Sequence, residues 1–266
     1  MEKIKLLFSI ITITSLFFCS CATLKNVTQK QVNNRKVEYV EAGNGSPTVV
    51  LETGLGPDIK TWLPIFDSLA AITHVFAYNR PGYGNSGLLH APENVKQVAE
   101  QLHENLKATG QQAPYILMGH SAGGLYINMF ARLYPDEVAS VVFLDASHPE
   151  QFEYFRKHQP LLYSMLVSST TKSKRKYELS IIKGTMSDFV DAPPFPNVPI
   201  VVLTAGKKSS PLETDRLRQK WLRFQSELAA LSEESNHVVV EGSGHFIHKD
   251  KPGVVLEEIR KIIKKQ

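Results

Sequence analysis

The chain has 266 residues, of which 42% are hydrophobic and 21% charged, and a formal net charge of +4. That composition excludes a disordered protein, and a charge so mild lacks the dense basic stripe of a nucleic-acid binder. The length admits one large α/β domain with a sizeable core, or two small domains.

The N-terminus, "MEKIKLLFSIITITSLFFCSCATLK", differs from the rest. Lys3 and Lys5 precede an apolar segment over residues 6–18, followed by small residues and both cysteines, Cys19 and Cys21. The apolar segment is short for a membrane span and has the layout of a signal peptide. It resembles a bacterial lipoprotein signal, with cleavage after residues 1–20 and lipid on the sulfur of Cys21. A plain secretory signal and an uncleaved anchor are the alternatives. Loss of Glu2, Lys3 and Lys5 would take the charge from +4 to +3. Acyl chains, rather than basic charge, would then hold the protein on a membrane of the cell envelope, facing the periplasm or exterior. No cysteine follows, so the mature domain has no disulfide.

Residues 21–35 read as a tether and 36–266 as the folded domain. "KVEYVEAG" reads as a strand and "TVVLETG" as a buried strand ending in glycines. "DIKTWLPIFDSLAAI" has helical spacing with Asp58 at its N-cap, and Trp62 reads as packing beneath it. "HVFAYNR" is a strand. In "APENVKQVAEQLHENLKATG", Val95, Val98, Ala99, Leu102 and Leu106 share a helix face, and Gly110 suits the C-terminal stop. "YILMG" is a strand, "AGGLYINMFARLYP" a helix ending near Pro135, and "VASVVFLD", "VPIVVLTAG" and "HVVVEGSG" are strands. "ETDRLRQKWLRFQSELAALS" and "KPGVVLEEIRKIIKK" are helices. Strands such as "VVFL" and "IVVL" are continuously apolar, which suits a parallel sheet covered on both faces. Their alternation with helices predicts a three-layer α/β domain.

Residues 147–196 break this rhythm, with no clear strand and a proline-rich end, "DAPPFPNVP". An insertion of that length is expected to form a cap or lid facing the substrate, with extra packing helices as the plainer alternative. Its aromatics Phe152, Tyr154, Phe155 and Tyr163 suggest an apolar pocket wall. The basic run "KSKRK", residues 172–176, reads as a solvated loop.

In "GHSAGG", residues 119–124, a serine sits between glycines where a strand turns into a helix. Ligand sites of such sheets lie at the carboxyl ends of the strands. Ser121, Asp145 after "VVFL" and His245 after "VVVEGSG" all fall there. A serine hydroxyl needs a neutral imidazole to take its proton, and the imidazole needs a carboxylate to fix its tautomer. His248 competes with His245 as the base. Glu213 and Asp215 compete with Asp145 as the acid. His120 reads as bracing nearby loops, Arg80 as a loop-bracing donor, and His148 as either lining the cleft or not. No spacing suggests a metal site, and "GLGPD" and "GYGNSG" fit neither a dinucleotide fingerprint nor a P-loop.

Over nearly all of residues 36–264 the chain resembles the α/β-hydrolase superfamily, through "LETGLG", "YNRPGYGNSG", "GHSAGG" and "GSGHFIHKDKP". The resemblance implies a mostly parallel sheet of about eight strands, helices on both faces and a cap insertion. It implies a nucleophile elbow at Ser121, and an oxyanion hole made by the amides of Ala122 and Leu55. Many members place the acid after the strand that here is "VPIVVLTAG", whereas some place it at Asp145. The expected activity is hydrolysis of carboxylic esters of a small or lipid-like substrate, without a cofactor or metal, by a monomer. Amide, peptide or thioester cleavage and acyl transfer are alternatives on the same site. A membrane-tethered binding protein without turnover is the alternative of another class. The serine argues against epoxide hydrolases and haloalkane dehalogenases, which use aspartate at the elbow.

Overall fold

The continuously apolar strands line up in one eight-stranded sheet. The strands are β1 (Thr28–Val32), β2 (Arg35–Ala42), β3 (Thr48–Glu52), β4 (Val75–Tyr78), β5 (Tyr115–His120), β6 (Val138–Leu144), β7 (Ile200–Ala205) and β8 (Ser235–Val240). Their order is β1-β2-β4-β3-β5-β6-β7-β8. β3 to β8 run parallel, and the β1–β2 hairpin is antiparallel at one edge. This computed structural model describes residues 23–171, 176–208 and 213–266. The signal segment, Cys19, Cys21 and most of the basic run lie outside the described residues.

Helices cover both faces: α1 (Leu63–Ala70), α2 (Val95–Thr109), α3 (Gly123–Leu133), α4 (Gln151–His158), α5 (Pro160–Thr171), α6 (Glu178–Val190), α7 (Asp215–Ala229), α8 (Ile247–Asp250) and α9 (Pro252–Lys264). Successive strand residues point to opposite faces, so each apolar strand feeds two cores. Leu117, Val141 and Val202 pack with residues of α2 and α3, including Leu102, Tyr126 and Phe130. Ile116, Met118, Val142 and Leu203 pack on the other face with Ile65 of α1 and Ile259 of α9. Asn94 caps α2 by accepting from the Gln97 amide, and Gly110 ends it with φ of 84°.

Two expectations need correction. The tether is shorter than residues 21–35, because the sheet begins at Thr28. Asn33 and Asn34, with φ of 47° and 63°, form the tight two-residue turn into β2. Asparagine tolerates that left-handed backbone better than other residues with a Cβ. β1 carries no apolar alternation, since of its residues only Val32 is buried, so its strand character is invisible to a hydrophobic pattern. The helix expected over "DIKTWLPIFDSLAAI" is also split. Asp58 does accept from the Lys60 amide at 2.9 Å, but it caps a 3-10 turn over Ile59–Trp62, and α1 follows from Leu63.

Between β6 and β7 the chain forms α4, α5 and α6. Phe152 of α4 and Ile181 of α6 are buried against the α2–α3 core, which seats these helices over the carboxyl ends of the central strands.

Candidate active site

β5 stops at His120 and α3 starts at Gly123, leaving two residues for the reversal. Ser121 takes the left-handed conformation, with φ of 53°. Its amide donates to Leu144 O at 3.1 Å, and its carbonyl accepts from the amides of Gly124 (2.9 Å) and Ser147 (2.8 Å). The glycines permit the close approach. A Cβ on Gly123 would lie 2.4 Å from Glu52 O, and one on Gly119 would lie 2.7 Å from Gly123 O.

Asp145 follows β6 with φ of 41°, fully buried. Its Oδ2 lies 2.7 Å from His245 Nδ1. Its Oδ1 accepts from the Ala205 amide at 3.0 Å and from Trp221 Nε1 at 2.8 Å. His245 sits in the loop between β8 and α8. A carboxylate on Nδ1 fixes the proton there and leaves Nε2 as the basic nitrogen. Ser121 and His245 line one cavity of about 310 Å³. Among the described residues no hydrogen bond joins Ser121 Oγ to His245 Nε2; catalytic hydrogen bonds of this kind often tighten only in the complex with substrate.

The competing candidates fall elsewhere. Asp215 opens α7 on the surface, 88% exposed and 2.7 Å from Lys208 Nζ. Glu213 lines the cavity with its carboxylate 3.8 Å from Arg218. His248 is fully buried, its Nε2 3.1 Å from Thr61 Oγ1 and its ring 4.6 Å from that of Trp62. Burial, with Lys249 and His245 nearby, pushes its pKa down to about 3, so it is neutral and held in the core. His120 is also buried, and desolvation with His245 and His248 alongside keeps it well below the ordinary histidine value. Its neutral ring donates from Nε2 to the His245 carbonyl at 2.9 Å, bracing the loop that carries His245. His148 stacks on Phe224 at 4.5 Å, with Nε2 3.6 Å from Glu227, away from the cavity wall.

The amide of Ala122 lies in the elbow, and that of Leu55 follows Gly54, where an added Cβ would lie 3.0 Å from Ser121 Cβ. Among the described residues neither finds a protein acceptor. The loop carrying Leu55 is clamped on both sides. Arg80, buried, donates to Thr53 O at 2.7 Å and to Gly54 O at 2.8 Å, and pairs with Glu52. Tyr83 Oη accepts from the Gly56 amide at 2.9 Å. Glu178, at the start of α6, accepts from Tyr83 Oη and from Arg80 at 3.4 Å. Arg80 therefore ties the loop to the inserted helices.

The cavity wall comes from Phe155 of α4, Leu161 and Leu162 of α5, and Leu217 and Trp221 of α7, with Gln151, Gln159 and Glu213 as polar members. Of the four aromatics expected there, only Phe155 is on it. Phe152 is packed in the core, Tyr154 stands edge-on to Phe224, and Tyr163 packs against the main core. Nothing in the sequence singles out the leucines or Trp221 as cavity residues. An amphipathic helix signal marks Leu217 as buried but cannot tell a core from a cavity. Among the described residues no group of three metal-ligating side chains comes together.

Comparison with known proteins agrees with the architecture. YqjL of Bacillus subtilis (strain 168), an uncharacterised protein, is 25% identical over 217 residues, covering 80% of this chain and 82% of its own length. The enol-lactonase from Burkholderia xenovorans LB400 superposes with a TM-score of 0.66 over 89% of this chain and all of its own, at 17% identity. The thermophilic esterase from Thermogutta terrifontis, with malate bound, gives 0.66 over 90% of this chain and 98% of its own, also at 17%. Identity this low speaks for the fold alone. Residues 47–186, just over half of the chain, match the family model of the alpha/beta hydrolase fold. The elbow after β5 and the helices inserted after β6 thus sit on a sheet of known kind: the chain belongs to the α/β-hydrolase fold family.

Proposed function

We propose that the protein is a serine hydrolase that cleaves carboxylic esters through an acyl-enzyme. The observation that carries this reading is the 2.7 Å contact of Asp145 Oδ2 with His245 Nδ1, beside a cavity that His245 shares with Ser121. Ser121 Oγ attacks the carbonyl carbon as its proton passes to His245 Nε2. The negative charge on the carbonyl oxygen is met by the amides of Leu55 and Ala122, the latter at the head of α3. The tetrahedral adduct collapses, the C–O bond to the alcohol breaks, and the alcohol leaves with the proton from His245. Water then gives a proton to His245 and attacks the acyl carbon. The acid departs and Ser121 recovers its proton. Asp145 keeps its charge throughout and stabilises the imidazolium.

A cavity of about 310 Å³ with mostly apolar walls suits a small or medium acyl group. Lipid on Cys21 would place this chemistry at the cell envelope; metabolic labelling with a radioactive fatty acid, lost in Cys21→Ala, tests that part. The hydrolase reading is tested with a fluorophosphonate probe and a panel of oxygen esters, thioesters and amides. Wild type is expected to be labelled and to prefer oxygen esters, and Ser121→Ala to lose both properties. A folded wild type that takes no label and turns over nothing would instead be a binding protein. Preference for thioester or amide would move the reaction class while keeping the residues.

A further inference from the structure

Asp145 is held by more than its histidine. The carboxylate is fully buried, so protein donors rather than bulk solvent satisfy it. Oδ1 takes two N–H donors, the Ala205 main chain at 3.0 Å and the indole of Trp221 at 2.8 Å, whereas Oδ2 faces His245 Nδ1 at 2.7 Å. The main-chain bond alone leaves the carboxylate free to swing about its own axis. The second donor, arriving from α7, fixes its plane. Indole is a donor only and does not titrate, so it holds the carboxylate at any working pH. The same ring also walls the cavity.

We propose that Trp221 is a positioning residue for the acid: its indole N–H occupies Asp145 Oδ1 and thereby presents Oδ2 to His245. The inference rests on the hydrolase reading given above. Removing the N–H has two consequences that removing a wall does not. The carboxylate loses a charge-assisted bond and becomes the stronger base, so it stabilises the His245 imidazolium more. The acidic limb of the rate profile therefore moves to higher pH. The carboxylate also loses its set orientation, so kcat falls. Among the described residues, the other titratable or charged groups around His245 are His120, with its ring 4.6 Å away, buried His248, Asp250, which accepts from the Gly244 amide at 2.7 Å, Glu213 on the same cavity with its neighbour Arg218, and Lys249 over Phe246. All of them are unchanged by the exchange.

The chain has only two tryptophans, and Nε1 of the other, Trp62, has no hydrogen-bond partner among the described residues. Biosynthetic replacement of both by β-(3-benzothienyl)alanine keeps the ring outline and replaces N–H by sulfur, so only at Trp221 is a hydrogen bond lost. With an ester that wild type turns over, kcat is expected to fall about ten- to hundredfold, the worth of one hydrogen bond to a charged group. KM is expected to stay within about twofold, with the acidic limb of kcat/KM displaced upward. Trp221→Phe should show the same displacement, with a raised KM from the altered wall. Without reference to turnover, Asp145→Asn should move one of the two indole N–H resonances of the ¹⁵N-labelled folded protein and leave the other in place. A raised KM with kcat and the acidic limb unchanged, or two unmoved indole resonances, would overturn the proposal while wild type remains active. A folded wild type inert to probe and esters would overturn the hydrolase reading and this inference together.

Discussion

Ser121 and Asp145 share a conformation as well as an edge of the sheet. Both carry positive φ, 53° and 41°, which costs a residue with a Cβ about 1–3 kcal/mol and persists only where surroundings enforce it. At Ser121 the enforcement is explicit, since its carbonyl is held by the amides of Gly124 and Ser147. Asp145→Asn keeps the shape but presents an amide to His245, and should lower kcat/KM by about a thousandfold or more. Asp215→Asn, on the surface, should leave kcat/KM within about twofold. Steady-state assays of the two variants on one ester separate the acids. Gly123→Ala would set a methyl 2.4 Å from Glu52 O, a main-chain atom. Overpacking of that kind costs about 3 kcal/mol, which a drop in thermal melting temperature would report. At this scale the serine, its glycines and the histidine are legible because their chemistry needs those types at strand ends. Trp221 is not, because a tryptophan in a helix reads equally well as packing.

At the scale of elements, the inserted helices do more than cover the sheet. Glu178 of α6 reaches Arg80 and Tyr83, and these hold the loop around Leu55 from both sides. Tyr83→Phe removes both the acceptor for the Gly56 amide and the donor to Glu178, and leaves the Arg80–Glu52 pair intact. Loss of two hydrogen bonds, one neutral and one to a carboxylate, predicts a fall in kcat of about tenfold or more, with little change in KM and with slower fluorophosphonate labelling. The parallel strands were legible because burial on both faces leaves nearly continuous apolar runs. β1 was not, because an edge strand can be polar throughout and is fixed by main-chain pairing with β2. The cavity wall is not legible in the chain for a related reason. Which side of α4 or α5 meets substrate depends on how those helices dock, and Phe152 and Phe155 look alike in the chain.

The molecule as a whole is sensitive to acid through its buried histidines. His248 has a folded pKa of about 3 against an unfolded value of about 6.5. The unfolded chain therefore binds the extra proton across that window, and stability falls as pH drops below about 6.5. His248 alone accounts for about 2 kcal/mol by pH 5, and His120, depressed by the same burial, acts in the same direction. Melting temperatures measured from pH 7.5 to 5 should fall, and His248→Gln should flatten the slope even where it lowers the absolute values.

Trp62 is sealed in the core, whereas Trp221 stands on the cavity wall with part of its ring open. The protein thus carries a natural optical gauge. Its deep fluorophore supplies a steady background, and its shallow one should change colour or brightness when a ligand enters the cavity beside it, so that filling of the chamber can be followed in real time without a dye.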